Sequence, residues 1–272
     1  MKFSIPKNRG AINKPVRNLV ATGLLFYVVF IIIYAPASLL AWAMEKAGIS
    51  SFILQQPNGT VWHGHGLIAT PAGSNQAAVI TRVEWRIRPF HLLLGKLKTS
   101  LTFSDEALMG KATVSITPGT LLIDKLKLAA PASTVGLIYA PASLLSLSGN
   151  ITVTANTFSL SRKQFLGTAT LTWRDAGSAL TPVNPLGNFE FGATSDKTGN
   201  KASIRGKNLD GPLVFSINGN WDIGGSQMLN LNGFIQPGER KQELEPLLRM
   251  IGNDNGGGRR NINLNMPMKL AR

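Results

Sequence analysis

The chain reads as a mainly β protein, in which an amino-terminal transmembrane helix precedes an antiparallel β-rich domain with one short amphipathic helix near its carboxyl end. Three observations predict this. Asn18 to Met44 contains no charged residue, and its heart, Leu19 to Tyr34, is almost entirely apolar. Beyond it, apolar and polar residues alternate with a period of two in run after run, the mark of half-buried strands. The composition, with 28 Gly in 272 residues, much Thr, Ser and Asn, and only 15% charged side chains, is that of strands and turns.

The apolar run comes first. A bilayer core needs about 20 apolar residues at roughly 1.5 Å rise each, so the run is long enough to span. Lys2, Lys7, Arg9, Lys14 and Arg17 precede it without any acid, and positive flanks stay in the cytoplasm. The expected organisation is a basic cytoplasmic tail over 1–18, a transmembrane helix over 19–43, a periplasmic linker over 44–55 and a β-rich periplasmic domain over 56–272. Tyr34 and Trp42 suit interfacial positions, Tyr27 falls mid-run, and Pro36 marks an end or a kink. Ala41-Trp42-Ala43 has the small-x-small form that signal peptidase reads. A cleaved signal, however, has an apolar region of only about 7–15 residues, which favours retention of the longer run seen here; either outcome exports the same domain.

The strands follow. Val83, Trp85 and Ile87 alternate with Arg82, Glu84, Arg86 and Arg88. The same period recurs in Leu126 and Leu128 against Lys125 and Lys127, in Ile151, Val153 and Ala155, and in Ile217, Gly219, Trp221 and Ile223. It is cleanest in Leu229 and Leu231 against Asn230 and Asn232, then in Ile262, Leu264 and Met266 against Asn261, Asn263 and Asn265. Thr117-Pro-Gly119, Asp210-Gly-Pro212 and Gly224-Gly225 separate the runs with turn chemistry, so the natural arrangement is an antiparallel meander, as a curved sheet or a sandwich.

Leu244, Leu247, Leu248 and Ile251 sit at helical spacing after Pro237-Gly238, with Gly252 as the stop. Asn253 to Gly258 then reads as a helix-to-strand connector, because no Gly-Lys-Ser/Thr follows to make a phosphate loop. The stretch from Pro131 to Leu147, including Tyr139, breaks the alternation and could join two similar halves, 56–140 and 146–272. Gly59…Trp62, Gly167…Trp173 and Gly219…Trp221 share a weak punctuation that either duplication or simple core filling by Trp explains.

Charge and chemistry narrow the function classes. Of a net charge of +14, the five early cations account for part, leaving 23 cations against 14 acids in the rest. The domain is therefore basic, which suits acidic partners such as lipid head groups or acidic protein faces. Its Lys and Arg are scattered singly along strands without a recognition helix, so nucleic acid is not expected. With no Cys there is no disulfide framework and no thiolate site. His63 and His65 offer an i, i+2 pair and His91 is the third histidine, short of the three or four convergent ligands a metal site needs. Asp105-Glu106 reads as a turn. Asn58-Gly-Thr60 matches a glycosylation sequon that matters only in a eukaryotic secretory route. No nucleophile elbow, Walker loop or His-Glu-x-x-His motif occurs. No enzyme activity, cofactor or metal is expected.

A basic start, one span, Pro36-Ala-Ser38 and then Gly59-Thr-Val-Trp-His-Gly64 resemble protein N of the bacterial type II (general) secretion pathway. Trp85-Arg-Ile-Arg-Pro-Phe-His-Leu-Leu-Leu-Gly95 is similar to that family's Trp-x-x-x-Pro-x-x-Leu-Leu-x-Gly stretch, and Leu231-Asn-Gly-Phe-Ile, Leu244-x-x-Leu-Leu and Gly252 continue it. The segment from about Pro131 to Leu186 matches least. The resemblance implies an accessory, single-pass inner-membrane subunit of a machine that moves folded proteins from the periplasm across the outer membrane. Its partners would be other inner- or outer-membrane subunits of that machine, and it brings no catalytic residues. The β-rich pattern is also similar to AsmA-type envelope proteins, whose grooves hold lipid, which makes lipid binding along an apolar β groove the alternative. Gly59, Thr60, Trp62, Gly64, Trp85, Pro89 and Gly95 are the family-like positions, expected to act as structural or interface residues. Gly59 and Gly64 would permit tight turns, and Trp62 and Trp85 would lock the first strands together.

Overall fold

The computed structural model describes residues 14–48, 52–70, 78–138, 140–161 and 164–268. Lys2, Lys7, Arg9 and Tyr139 lie outside the described residues, as do 49–51 of the expected linker. Helix α1, Lys14–Ile33, is followed by a second helix, α2, Ser38–Lys46. The apolar run is thus divided at Pro36, which lacks an N–H to continue the helical ladder. Between Val16 and Ile33, α1 has a mean hydropathy of 2.2 and none of its residues is buried, so it is long and apolar enough to cross a membrane.

Among the described residues thirteen strands form one antiparallel meander in strict chain order. They are β1 Ile53–Gly59, β2 His63–Thr70, β3 Ala78–Ile87, β4 Leu97–Asp105, β5 Leu108–Thr117, β6 Thr120–Pro131, β7 Leu147–Ser161, β8 Phe165–Ser178, β9 Gly187–Ser195, β10 Lys201–Asp210, β11 Leu213–Asp222, β12 Met228–Pro237 and β13 Arg260–Pro267. Of the two arrangements open to the sequence, a curved sheet and a sandwich, the single sheet forms. It crosses the boundary between the expected halves without a break, since β6 pairs with β7 from Thr120↔Ser161 to Pro131↔Asn150. Pro118-Gly119 makes a two-residue hairpin between Thr117 and Thr120, with Gly119 at φ 84°. The other two turn motifs likewise connect β10 to β11 and β11 to β12. β1 begins at Ile53, inside the stretch expected as linker.

A sheet with one apolar face must cover it, and this one does so at both ends. At the amino-terminal end Leu54, Val83, Trp85 and Ile87 are buried, with Leu40, Ala41 and Met44 of α2 packed against them. Arg82, Glu84, Arg86 and Arg88 point outward, as alternation requires. At the carboxyl-terminal end α5, Lys241–Ile251, sets Leu244 and Leu248 fully out of solvent against Val183, Phe189, Phe215 and Ile235. Two such leucines each contribute about 1.5–3 kcal/mol on burial. The side chain of Ile251 lies outside the described residues. A third cluster, Phe165, Ala202 and Ile223, fills the same face farther along the strands.

The structure holds more helix than the single amphipathic one expected beyond the span. Short helices α3, Thr134–Ile138, and α4, Ala140–Ser143, occupy the stretch where alternation lapses, and a 3₁₀ helix runs over Pro89–Leu94. Pro89 starts the latter at N1, where its missing N–H costs nothing.

Candidate functional site at the helix–sheet junction

The family-like residues meet where the apolar helix α1 joins the sheet. Between α1 and α2 the chain pairs with the β1–β2 turn: Val61 N donates to Ala35 O at 2.9 Å, Ala37 N donates to Gly59 O at 3.1 Å, and Pro36 faces Thr60 in an isolated antiparallel bridge. The Trp62 indole Nε1 reaches past this pairing to donate to Ile32 O, in the last turn of α1, at 2.7 Å. The last turn of a helix leaves carbonyls short of intrahelical partners; Ile32 O takes only a long bond from Ala35 N at 3.4 Å, and Trp62 is its closer donor.

The turn itself is held by Thr60. Its backbone N–H donates to His63 O at 2.9 Å, and its hydroxyl accepts from His63 N at 3.2 Å. Gly59 sits at φ 91°, where any Cβ is strained and would meet His63 O at 2.6 Å. Beneath the turn lies Trp85, whose indole N–H is shared between Thr60 O at 3.2 Å and Val61 O at 3.1 Å. Gly64 makes room for that ring: a Cβ there would stand 2.6 Å from Trp85 Cζ2 and closer still to Asn58 O. Ile87 N closes the corner by donating to Trp62 O at 2.7 Å.

Gly59, Thr60, Trp62, Gly64 and Trp85 are therefore brought together in one corner, while Pro89 and Gly95 bracket the neighbouring 3₁₀ helix. Gly95 takes the left-handed conformation at φ 67°, ψ 22°, and its N–H donates to Leu92 O. Arg88 N donates to Lys98 O at 2.9 Å and fixes the base of this helix.

His63 and His65 stand opposite Arg86 and Glu84 on the polar face of β2 and β3. Among the described residues no group of three or more His, Cys, Asp and Glu could hold a metal ion. Asp105 ends β4, and its carboxylate accepts from Glu106 N at 2.7 Å in the hairpin turn.

Sequence reasoning missed a second fixed point, at the far end of the sheet. Arg260 of β13 is 2% exposed, with Nη2 3.1 Å from Glu245 Oε1 on α5 and Nη1 3.0 Å from Asp254 Oδ1 in the connector. Asp254 in turn accepts from Gly256 N at 2.8 Å and Gly258 N at 3.0 Å, and these N–H groups, with the Arg260 guanidinium, hold its carboxyl below the usual range. A signal was available. Arg260 has the strand parity of Ile262 and Leu264, which puts a cation on the apolar face, and a buried cation needs an acid.

No curated protein and no solved structure matches the chain. A family model described as type II secretion system (T2SS), protein N, matches residues 52–263. The match begins at the residue before β1 and ends within β13, so it takes in nearly the whole sheet, the corner residues from Gly59 to Trp85, the 3₁₀ helix and the Arg260 lock, and leaves α1 and α2 outside. With most of its length so matched, the chain belongs to the type II secretion system protein N family.

Proposed function

We propose that this chain is an accessory inner-membrane subunit of the type II secretion machinery whose periplasmic sheet scaffolds other subunits. In this reading the basic tail lies in the cytoplasm, the span expected over 19–43 is carried by the α1 part of that run, α2 lies against the sheet, and 56–272 form the periplasmic domain. The observation that carries it is the family match over 52–263 together with an apolar helix tied to the matched sheet by hydrogen bonds at Ile32, Ala35 and Ala37. Such a tie supports a scaffold rather than a tethered domain, because the sheet keeps one attitude to the bilayer while partners dock on it. Gly59, Thr60, Trp62, Gly64, Trp85, Pro89 and Gly95 serve this reading as the structural and interface residues of the joint. The outward basic side chains would add electrostatic complementarity to acidic partner faces.

Two fusions at the carboxyl end of the full chain test the topology. Alkaline phosphatase is expected to be active and green fluorescent protein dark, and the reverse pattern overturns the proposal. Pull-down from gently solubilised membranes is expected to recover other secretion subunits in stable proportion. Recovery of none of them overturns the scaffold role.

A further inference from the structure

One apolar element has no core to pack against. The 3₁₀ helix Pro89–Leu94 buries none of its residues: Phe90 is 80% exposed, Leu93 84% and Leu94 74%. Pro89 at its start, left-handed Gly95 at its end and the Arg88 N to Lys98 O bond at its base hold those side chains outward. Clustered exposed apolar side chains mark a contact surface.

Position and charge name the contact. Trp62 bridges the base of this helix to the membrane helix, since its carbonyl accepts from Ile87 N and its indole donates to Ile32 O, both at 2.7 Å. Phe90 follows Ile87 by three residues, a reach of at most about 10 Å. The 18 residues of α1 from Val16 to Ile33 are roughly 27 Å long, close to the bilayer core, which leaves the end of α1 at the interface, beneath a head-group layer about 5–8 Å deep. From Trp85 to Ser104 the chain has no acid, while Arg86, Arg88, Lys96 and Lys98 flank the apolar tip. Tyr34 and Trp42 are exposed at the same end, where aromatic side chains favour the membrane interface. An apolar tip inside a basic collar is what an anionic leaflet attracts.

We propose that the 3₁₀ helix is a second membrane contact, with Phe90, Leu93 and Leu94 inserted into the leaflet from which α1 emerges and Arg86, Arg88 and Lys96 on its phosphates. This rests on α1 spanning the bilayer. The sheet is then held at two points, the emerging helix and the docked tip, and cannot swing about the first.

The chain has no native cysteine, so single probes can be placed in the full protein. Leu25→Cys, Leu93→Cys and Glu106→Cys variants are each labelled with an environment-sensitive fluorophore and reconstituted in vesicles of phosphatidylethanolamine and phosphatidylglycerol carrying nitroxide lipids. Glu106 lies in the turn at the other end of β4, about 27–30 Å away, and serves as the water-side reference. The Leu25→Cys probe is expected to be quenched strongly, and the Leu93→Cys probe at least about threefold more than the Glu106→Cys probe. An unquenched Leu25→Cys probe overturns the span and the docking with it. A quenched Leu25→Cys probe beside a Leu93→Cys probe no more quenched than Glu106→Cys leaves the span standing and overturns the docking, as contact with protein or water would.

Discussion

The two ends of the sheet are both capped by a helix, yet the caps are held by different forces. At the amino-terminal end the joint between α1, α2 and β1 adds to the apolar contacts of α2 a set of backbone and indole hydrogen bonds, over glycines that let the chain approach Trp85 closely. None of the bonds there involves a charged group. At the carboxyl-terminal end α5 is held by its buried leucines and by one buried guanidinium between two carboxylates. The first joint depends on the shape of the main chain, and a single added methyl group can break it. The second depends on charge, and is sensitive to pH and ionic strength. This difference suits the proposed anatomy, in which the joint nearest the bilayer works beside anionic head groups and is built from neutral bonds.

The largest expected effect is at Gly64. In Gly64→Ala the new methyl would overlap the ring of Trp85, which is buried and held by its own indole bonds, and the carbonyl of Asn58, which is main chain. Neither can yield without opening the corner, so a loss of about 3 kcal/mol is expected in thermal or denaturant unfolding of the detergent-solubilised protein. Gly192→Ala is the control. Its Cβ meets nothing within 4 Å, and a change within about 0.5 kcal/mol is expected. Equal stability of the two variants would remove shape as the basis of the amino-terminal joint.

Next is Arg260→Leu. The position is buried, but Glu245 and Asp254 are partly exposed and can rehydrate, so the loss should be about 2 kcal/mol rather than the full cost of stranding a buried charge. Adding Glu245→Leu should recover part of it, because the pair is coupled. Additive losses in the double variant would mean that the leucines of α5, and not the ion pairs, hold the cap.

The same contrast explains what was legible in the sequence. Strand faces follow from a local period, so Val83, Trp85 and Ile87 point inward as the alternation says, and Pro118-Gly119 turns where turn chemistry says. The amphipathic helix is legible from Leu244 and Leu248 for the same reason. Contacts between residues thirty apart leave no such trace: nothing in the spacing of Ile32 and Trp62 shows that the indole seeks the last turn of α1. The α1–α2 division was half legible, as Pro36 marks a break but not the strand-like pairing that fills it. The 3₁₀ helix was hidden in Pro89 to Gly95 because its leucines follow neither a strand nor an α-helical period. Arg260 was readable by parity alone, but its acids come from a helix and a loop that only the fold brings to it.

The smallest effect separates the ends by pH. Asp254 is held below the ordinary aspartate range by the Gly256 and Gly258 N–H groups and by Arg260. A depressed carboxyl contributes stability that is present above the unfolded value, about 3.9, and lost as pH falls through the folded one. Between pH 6 and 3 the wild-type chain should therefore lose part of the hold on α5 while the amino-terminal joint, with no titrating partner in its bonds, stays closed. Hydrogen exchange read separately for α5 and for β1–β3 would show protection falling first at α5. Asp222 is also depressed, through Ser226 N–H and hydroxyl and the Gly225 N–H, so Asp254→Asn isolates the effect: it should start with less protection at α5 and lose less of it in acid. An α5 that loosens in acid to the same extent with Asn at 254 would assign the pH dependence to other depressed carboxylates, Glu243 beside Arg240 on α5 first and then Asp222.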